Sequence, residues 1–301
     1  MSKTLIVLTG PTAVGKSTAA IKIARSLNSE IISADSRQIY RELRIGTAVP
    51  SEDELTSVRH HFIRSHSIFQ NYNASIFEEE VLELLNILFQ KYESVLMAGG
   101  SMLYIDAVCK GIDLMPDPDP HIRKNLKARL YAEGIESLRL QLKQLDPLCY
   151  AETDLRNPAR IIHALEICLT SGKPYSSFRS NSSKKRPFKI IKAGINCDRE
   201  ILHQRINRRV DEMVGAGLEE EAKTLFKYKN LNALNSVGYR EFFHYFEQKI
   251  SREKAIELIK RNTRRYARKQ ITWFRNDPQM NWFRPGQEEE ILKLINKNIY
   301  G

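Results

Sequence analysis

The stretch "LIVLTGPTAVGKST", residues 5–18, decides how the chain is read. A short apolar run, Leu5 to Leu8, leads into Gly10-Pro11-Thr12-Ala13-Val14-Gly15-Lys16-Ser17, which satisfies G-x-x-x-x-G-K-[ST] at every specified position. A strand-like segment precedes the pattern and an amphipathic helical segment from Lys16 to Leu27 follows it. In that context the backbone N–H groups of Gly10, Thr12, Ala13, Val14, Gly15, Lys16, Ser17 and Thr18 turn toward phosphate oxygens, and the helix N-terminus adds positive potential. Lys16 supplies a mobile cation for the terminal phosphates, and the Ser17 hydroxyl is a ligand for Mg²⁺. The motif by itself fits ATP or GTP; which phosphates the loop holds needs further residues.

Working outward, three more segments read as buried strands: 30–34 ("EIISA"), 94–98 ("SVLMA") and 188–195 ("FKIIKAGI"). The helical pattern of residues 77–91 precedes the third strand. This alternation predicts an α/β fold: a P-loop NTPase-like core with a parallel sheet flanked by helices on both faces. Between the proline-rich "MPDPDP" and the Ser/Lys-rich "SNSSKKRP" lies a stretch of helical periodicity without a convincing strand. We read residues 119–185 as a helical insertion domain in a core formed by 1–118 and 186–301, whose last third is mostly helical.

The composition points to an anionic partner. Forty-seven Lys and Arg against thirty-six Asp and Glu give a formal charge of +11. Cys109, Cys149, Cys168 and Cys197 form no C-x-x-C pair, which argues for reduced thiols rather than a zinc site or a disulfide framework. No apolar run reaches the length of a membrane span or a signal peptide, so a cytoplasmic protein without a membrane partner is expected. His60, His61 and His66 match no ligand spacing and read as surface or packing residues.

Nucleotide hydrolases of this fold carry an Asp after a later strand to hold the metal. Here that strand ends in Gly99-Gly100-Ser101, and the nearest acid at a strand end is Asp35. Strand C-termini form the ligand edge of an open sheet, so Asp35 and Ser101 are expected to face the phosphate loop across one crevice. Asp35 would be a proton acceptor and Ser101 its orienting partner; the alternative for Asp35 is a helix cap. In "HQRINRR", Arg205 and Arg209 share a helical face, suited either to neutralising a departing phosphate or to plain solvation. Residues 252–275 carry nine basic side chains against two glutamates, Glu253 and Glu257. The stripes Lys260, Arg264, Arg268 and Arg261, Arg265, Lys269 predict a phosphate-backbone surface, with Ile256, Ile259, Tyr266 and Trp273 as the opposite, core-facing side.

With these residues in place, the chain resembles the tRNA dimethylallyltransferases nearly end to end. The likeness runs through "GPTAVGKST", "EIISADSRQIYRELRIGTAVP", "LMAGGSMLY", "DPLCYAETDLRNPARIIHALEI", "REILHQRINRRVDEMVGAGLEEE", "SVGYREF" and "RRYARKQITWFR". The resemblance implies that the loop binds the diphosphate of dimethylallyl diphosphate, with Mg²⁺ as cofactor. The acceptor is N6 of the adenosine 3′ of the anticodon, position 37 of tRNA, presented by the anticodon stem-loop. Asp35 is then the base, while Ser101, where relatives usually carry threonine, bridges to the diphosphate or its metal. Thr12, Lys16, Ser17 and Arg209 neutralise the leaving group. Asp35, Ser36, Arg37 and Gln38 meet the extruded adenine. RNA contacts are implied for Arg264 and Arg268 and for Ala159, Arg160 and His163, a segment where many relatives read Gln-Arg-x-x-Arg. The family also implies a monomer. Three rival readings remain at this point: a P-loop kinase, a prenyltransferase acting on free adenine nucleotide, and an RNA-binding protein that uses the phosphate site as a switch.

Overall fold

The computed structural model describes residues 3–113, 115–117, 119–179 and 183–300. Pro118 of the proline-rich breaker and residues 180–182 of the Ser/Lys segment therefore lie outside the described residues. The chain divides into two compact units, residues 1–110 with 185–301, and residues 111–184. The second unit opens at Gly111, ahead of Asp119.

The larger unit is built on six strands in the order β3-β2-β4-β1-β5-β6, every neighbouring pair parallel. They are β1 (Thr4–Thr9), β2 (Ile31–Ala34), β3 (His60–His61), β4 (Ser94–Gly99), β5 (Lys189–Ile195) and β6 (Met280–Phe283). β1 is central, with Leu5 opposite Val95 on one side and Ile190 on the other, and all six of its residues are buried. Burial of both faces is why its sequence is a continuous apolar run rather than an alternation. Four of the strands match the expectation from sequence. β3 and β6 do not: β3 has two residues and β6 is a partly exposed edge, too short for a pattern.

Helices α1 (Lys16–Ser26), α2 (Glu52–Ser57), α3 (Ala74–Lys91) and α4 (Met102–Lys110) belong to this unit. The smaller unit packs α5 (Pro120–Glu133), α6 (Ile135–Leu145), α7 (Pro147–Glu152) and α8 (Pro158–Ser171) around Leu126, Leu138, Leu142, Ile161 and Leu165. The larger unit resumes with α9 (Arg199–Gly215), α10 (Leu218–Leu225), α11 (Tyr239–Phe246), α12 (Arg252–Arg275) and α13 (Glu288–Tyr300). Among the described residues, no helix is long and apolar enough to cross a membrane.

Two glycines draw the strand ends together. A Cβ on Gly10 would lie 2.3 Å from the Ile195 carbonyl oxygen, and one on Gly99 would lie 2.2 Å from that of Ala34. Only glycine lets the C-terminal ends of β1, β5, β4 and β2 approach this closely, and the crevice beyond them is the usual ligand edge of such a sheet.

Candidate active site

The phosphate loop leaves β1 at Gly10 and turns through Ala13 (φ 64°) and Gly15 (φ 105°) into the first turn of α1. Lys16 donates from Nζ to the carbonyls of Gly10 (2.9 Å) and Pro11 (2.7 Å). Burial, reinforced by the nearby Arg209 charge and opposed by Asp35, brings its pKa down to about 7. Ser17 and Thr18 expose their side chains to the crevice.

Helix α9 crosses above the loop. Arg205 donates to the Val14 carbonyl at 3.1 Å, and the Arg209 guanidinium stands 3.4 Å from the Thr12 hydroxyl. Burial lowers the Arg209 pKa, and the neighbouring Asp35 opposes that shift. Arg208 is exposed and pairs with Glu212 at 2.8 Å, and both border the crevice.

Asp35 follows β2. Its Oδ1 accepts the N–H groups of Arg37 (2.9 Å) and Gln38 (3.3 Å), closing a turn rather than capping a helix. The same carboxylate lines the crevice with Lys16, Ser17, Thr12 and Arg209. Ser101, the other residue expected at this edge, is buried beyond the end of β4, in hydrogen-bond contact with Tyr266. Its hydroxyl oxygen accepts the Ser36 N–H at 2.8 Å, and its O–H donates to Ser36 Oγ at 3.1 Å, so it props the Asp35 turn from beneath. The Arg37 guanidinium donates to the carbonyls of Asn232 and Ala233, and the Gln38 amide donates to those of Thr47 and Ala48. Arg37 and Gln38 thus anchor the turn to its surroundings.

The crevice has two chambers. One, about 520 Å³, contains the phosphate loop. The other, about 530 Å³, is walled by Arg37, Val210, Met213, Val237 and Lys269. Both share Thr12, Asp35, Arg209 and Tyr266, so the carboxylate and the arginine stand at the neck between them.

Helix α12 forms one wall, and its inner side differs from the expected stripe. Ala255, Ile259, Ala267, Gln270 and Phe274 are buried, whereas Tyr266 and Trp273 are 36% and 39% exposed. Phe274 takes the inward position, and the Trp273 indole N–H donates to Asp106 at 2.9 Å. Tyr266 borders the crevice. Of the basic stripes, Lys260 is tied to Asp211 and Arg264 to Asn207, each at 2.5 Å, while Arg261, Arg265, Arg268 and Lys269 are exposed. A groove of about 1040 Å³ between α9 and α12 is lined by Arg199, Arg264, Arg268, Arg275 and Arg284 against one acid, Asp198.

In the smaller unit, Ala159 and Arg160 are exposed on the first turn of α8. His163 packs edge-on against Tyr175, and burial lowers its pKa. His60 and His61 form β3, and His61 pairs with Glu30 at 2.5 Å. The four cysteines are free, and three of them are buried. Among the described residues, no group of three or more His, Cys, Asp or Glu could hold a metal ion by itself. The Ser17 hydroxyl, exposed in the crevice, is an oxygen donor of the kind a hard cation takes alongside phosphate oxygens and water.

Two residues of the site have no motif to announce them. Gln270 reaches from α12 to the phosphate loop, and Glu221 of α10 accepts the N–H groups of Arg44, Ile45 and Gly46. Gln270 follows Arg268 and Lys269 on a basic helix, and Glu221 is the last of three consecutive glutamates opening α10, so sequence context singles out neither.

Comparison with known proteins places this geometry. A sequence model of the IPP transferase family matches residues 38–277. The chain is 54% identical over 293 residues to tRNA dimethylallyltransferase 1 of Porphyromonas gingivalis, covering 97% of this chain and 98% of that one. It is similar to the crystal structure of the full-length tRNA isopentenylpyrophosphate transferase from Bacillus halodurans, at 33% identity and a TM-score of 0.72, covering 99% and 97% of the two chains. A eukaryotic dimethylallyltransferase acting on tRNA shares the fold, with a TM-score of 0.82 at 23% identity over 99% of this chain and 80% of that one.

Proposed function

We propose that this chain, which belongs to the IPP transferase family, transfers a dimethylallyl group from dimethylallyl diphosphate to N6 of the adenosine at position 37 of tRNA, releasing diphosphate. The observation that carries the reading is the neck of the crevice, where Asp35 stands with Arg209 and Thr12 between the phosphate-loop chamber and a second opening.

The chemistry follows from the residues at that neck. The adenine amine is a weak nucleophile because its lone pair is delocalised into the ring. Asp35 accepts a hydrogen bond from N6 and takes its proton as the N6–C1 bond forms, an effect typically worth about 10² to 10⁴ in rate. The C1–O bond of the donor breaks, and the electron pair leaves with the diphosphate. Lys16, the loop N–H groups and Arg209 stabilise that charge as it develops. Ser17 would hold Mg²⁺ against the diphosphate, and the ion supplies further charge neutralisation there. Water has no part in the transfer, in keeping with a site that carries Asp35 at the neck and no carboxylate at the end of β4.

The acceptor base must leave its stack to reach this neck. The turn from Asp35 to Gln38 borders its path, with the Arg37 and Gln38 side chains fixing that border. Arg264, Arg268 and the arginine-lined groove between α9 and α12 receive RNA phosphates. The insertion, through Arg160 and its neighbours Ala159 and His163, meets the anticodon stem-loop, and the enzyme works as a cytoplasmic monomer.

The test uses Mg²⁺, radiolabelled dimethylallyl diphosphate and an unmodified anticodon stem-loop, with AMP and ATP as parallel acceptors. Asp35→Asn keeps an oxygen for the Arg37 and Gln38 N–H groups and removes the carboxylate's basicity and charge. Label in RNA that Asp35→Asn abolishes supports the transfer and its base. Label in AMP alone moves the activity to free nucleotides, and ATP consumption without label would establish a kinase.

A further inference from the structure

Gln270 joins three parts of the larger unit. It is 2% exposed, on the inner side of α12, one turn beyond Tyr266. Its Oε1 accepts the Thr12 N–H at 2.9 Å, and its Nε2 donates to the Gly100 carbonyl at 2.8 Å. An N–H can only donate and a carbonyl can only accept, so one orientation of the amide satisfies both partners. The fit leaves no room for a side chain at position 100, where a Cβ would lie 2.3 Å from Nε2.

What calls for an amide here is that pair of backbone groups alone. Buried neighbours on the same side of α12 are Ala267 and Phe274, and an apolar side chain of similar volume would fill the space. A buried amide is retained at a cost in desolvation that only well-placed partners offset. Here the partners are the segment that opens the phosphate loop and the turn that follows β4. Thr12 carries the hydroxyl facing Arg209, so the backbone held by Gln270 also sets the residue that meets the arginine at the neck.

We propose that Gln270 is a positioning residue for the transfer: it fixes the phosphate loop at Thr12 to the helix whose outer side carries the exposed Arg265, Arg268 and Lys269. The inference rests on the family's use of that loop for a diphosphate. It goes further in assigning the loop's shape to a side chain whose two hydrogen bonds both go to protein backbone.

The test compares wild type with Gln270→Met, which keeps the volume and removes both hydrogen bonds, and with Gln270→Glu, which keeps only the acceptor for Thr12. Binding of Mg²⁺-pyrophosphate is measured by calorimetry, binding of the stem-loop by anisotropy, and turnover by label transfer. Amide hydrogen exchange is followed at Thr12. In Gln270→Met we expect pyrophosphate affinity and kcat to fall by about tenfold to a hundredfold, the scale of a misplaced reacting group, with stem-loop affinity within about twofold. Thr12 exchange should accelerate in Gln270→Met and stay slow in Gln270→Glu, which carries the test if the methionine variant does not fold. Unchanged pyrophosphate affinity with unchanged Thr12 exchange overturns the proposal. The binding and exchange arms need no turnover, so they judge Gln270 even if RNA is not the acceptor.

Discussion

Ser101 and Ser36 hold each other across the gap between β4 and the Asp35 turn: the Ser101 oxygen accepts the Ser36 N–H at 2.8 Å while its own O–H reaches Ser36 Oγ at 3.1 Å. The hydroxyl at position 101 thus supports the Asp35 turn from behind. Ser101→Ala leaves the half-buried Ser36 N–H without its acceptor, which costs about 1 kcal/mol. We expect kcat to fall with pyrophosphate affinity unchanged. A hydroxyl that touched the diphosphate would lower both, so kinetics and calorimetry on one variant separate the two roles.

Lys16 gives the site a pH dependence. Its pKa is lowered to about 7 by burial and by Arg209, so the free protein holds it charged below that pH and neutral above. A bound diphosphate favours the charged form. Donor or pyrophosphate binding above pH 7 should therefore take up a proton, and affinity should weaken as pH rises through 7. Calorimetry in buffers of different ionisation enthalpy reads the uptake directly. Lys16→Met should remove that component while leaving the titration of pyrophosphate itself. For stability the sign is set by the unfolded chain, where lysine titrates near 10.4. Between about 7 and that value the unfolded state binds more protons, so this group's contribution to stability rises with pH across the window.

The Glu221 carboxylate is shared between Arg44, Ile45 and Gly46 N–H groups at 2.9–3.0 Å and the Tyr239 hydroxyl at 2.6 Å. This segment continues into Thr47 and Ala48, whose carbonyls hold Gln38. An amide at position 221 must point its NH₂ at donors on one side or the other. Glu221→Gln should cost about 2–3 kcal/mol in urea unfolding and lower kcat through the Gln38 end of the turn.

Much of this was legible in the chain because its information is local. β1, β2, β4 and β5 each carry an uninterrupted apolar run, and the phosphate loop is a fixed spacing between a strand and a helix. Asp35 and Arg209 follow from where strands end and from a repeat of four. What stayed hidden depends on distant partners. Gln270 meets Thr12 across 258 residues and Gly100 across 170, and sequence offers only a glutamine on a basic helix. Trp273 and Phe274 are adjacent aromatics, and which of them turns inward is decided by packing rather than periodicity. β6, four residues at a half-exposed edge, becomes a strand because β5 offers it a partner.

Arg268 tests whether the basic side of α12 receives RNA. It is exposed, borders the groove between α9 and α12, and sits two residues before the buried Gln270 without sharing its contacts. An arginine that neutralises one phosphate displaces about one counterion, so Arg268→Ala should reduce the slope of log K against log salt for stem-loop binding by about 1. Affinity should fall by a similar factor for stem-loops of different sequence, because phosphates carry no base identity. The affinity for Mg²⁺-pyrophosphate should remain that of wild type. An unchanged slope would remove Arg268 from the interface and shift the RNA path toward the Arg199 and Arg284 side of the groove, where the same titration applied to Arg284→Ala would then show the loss.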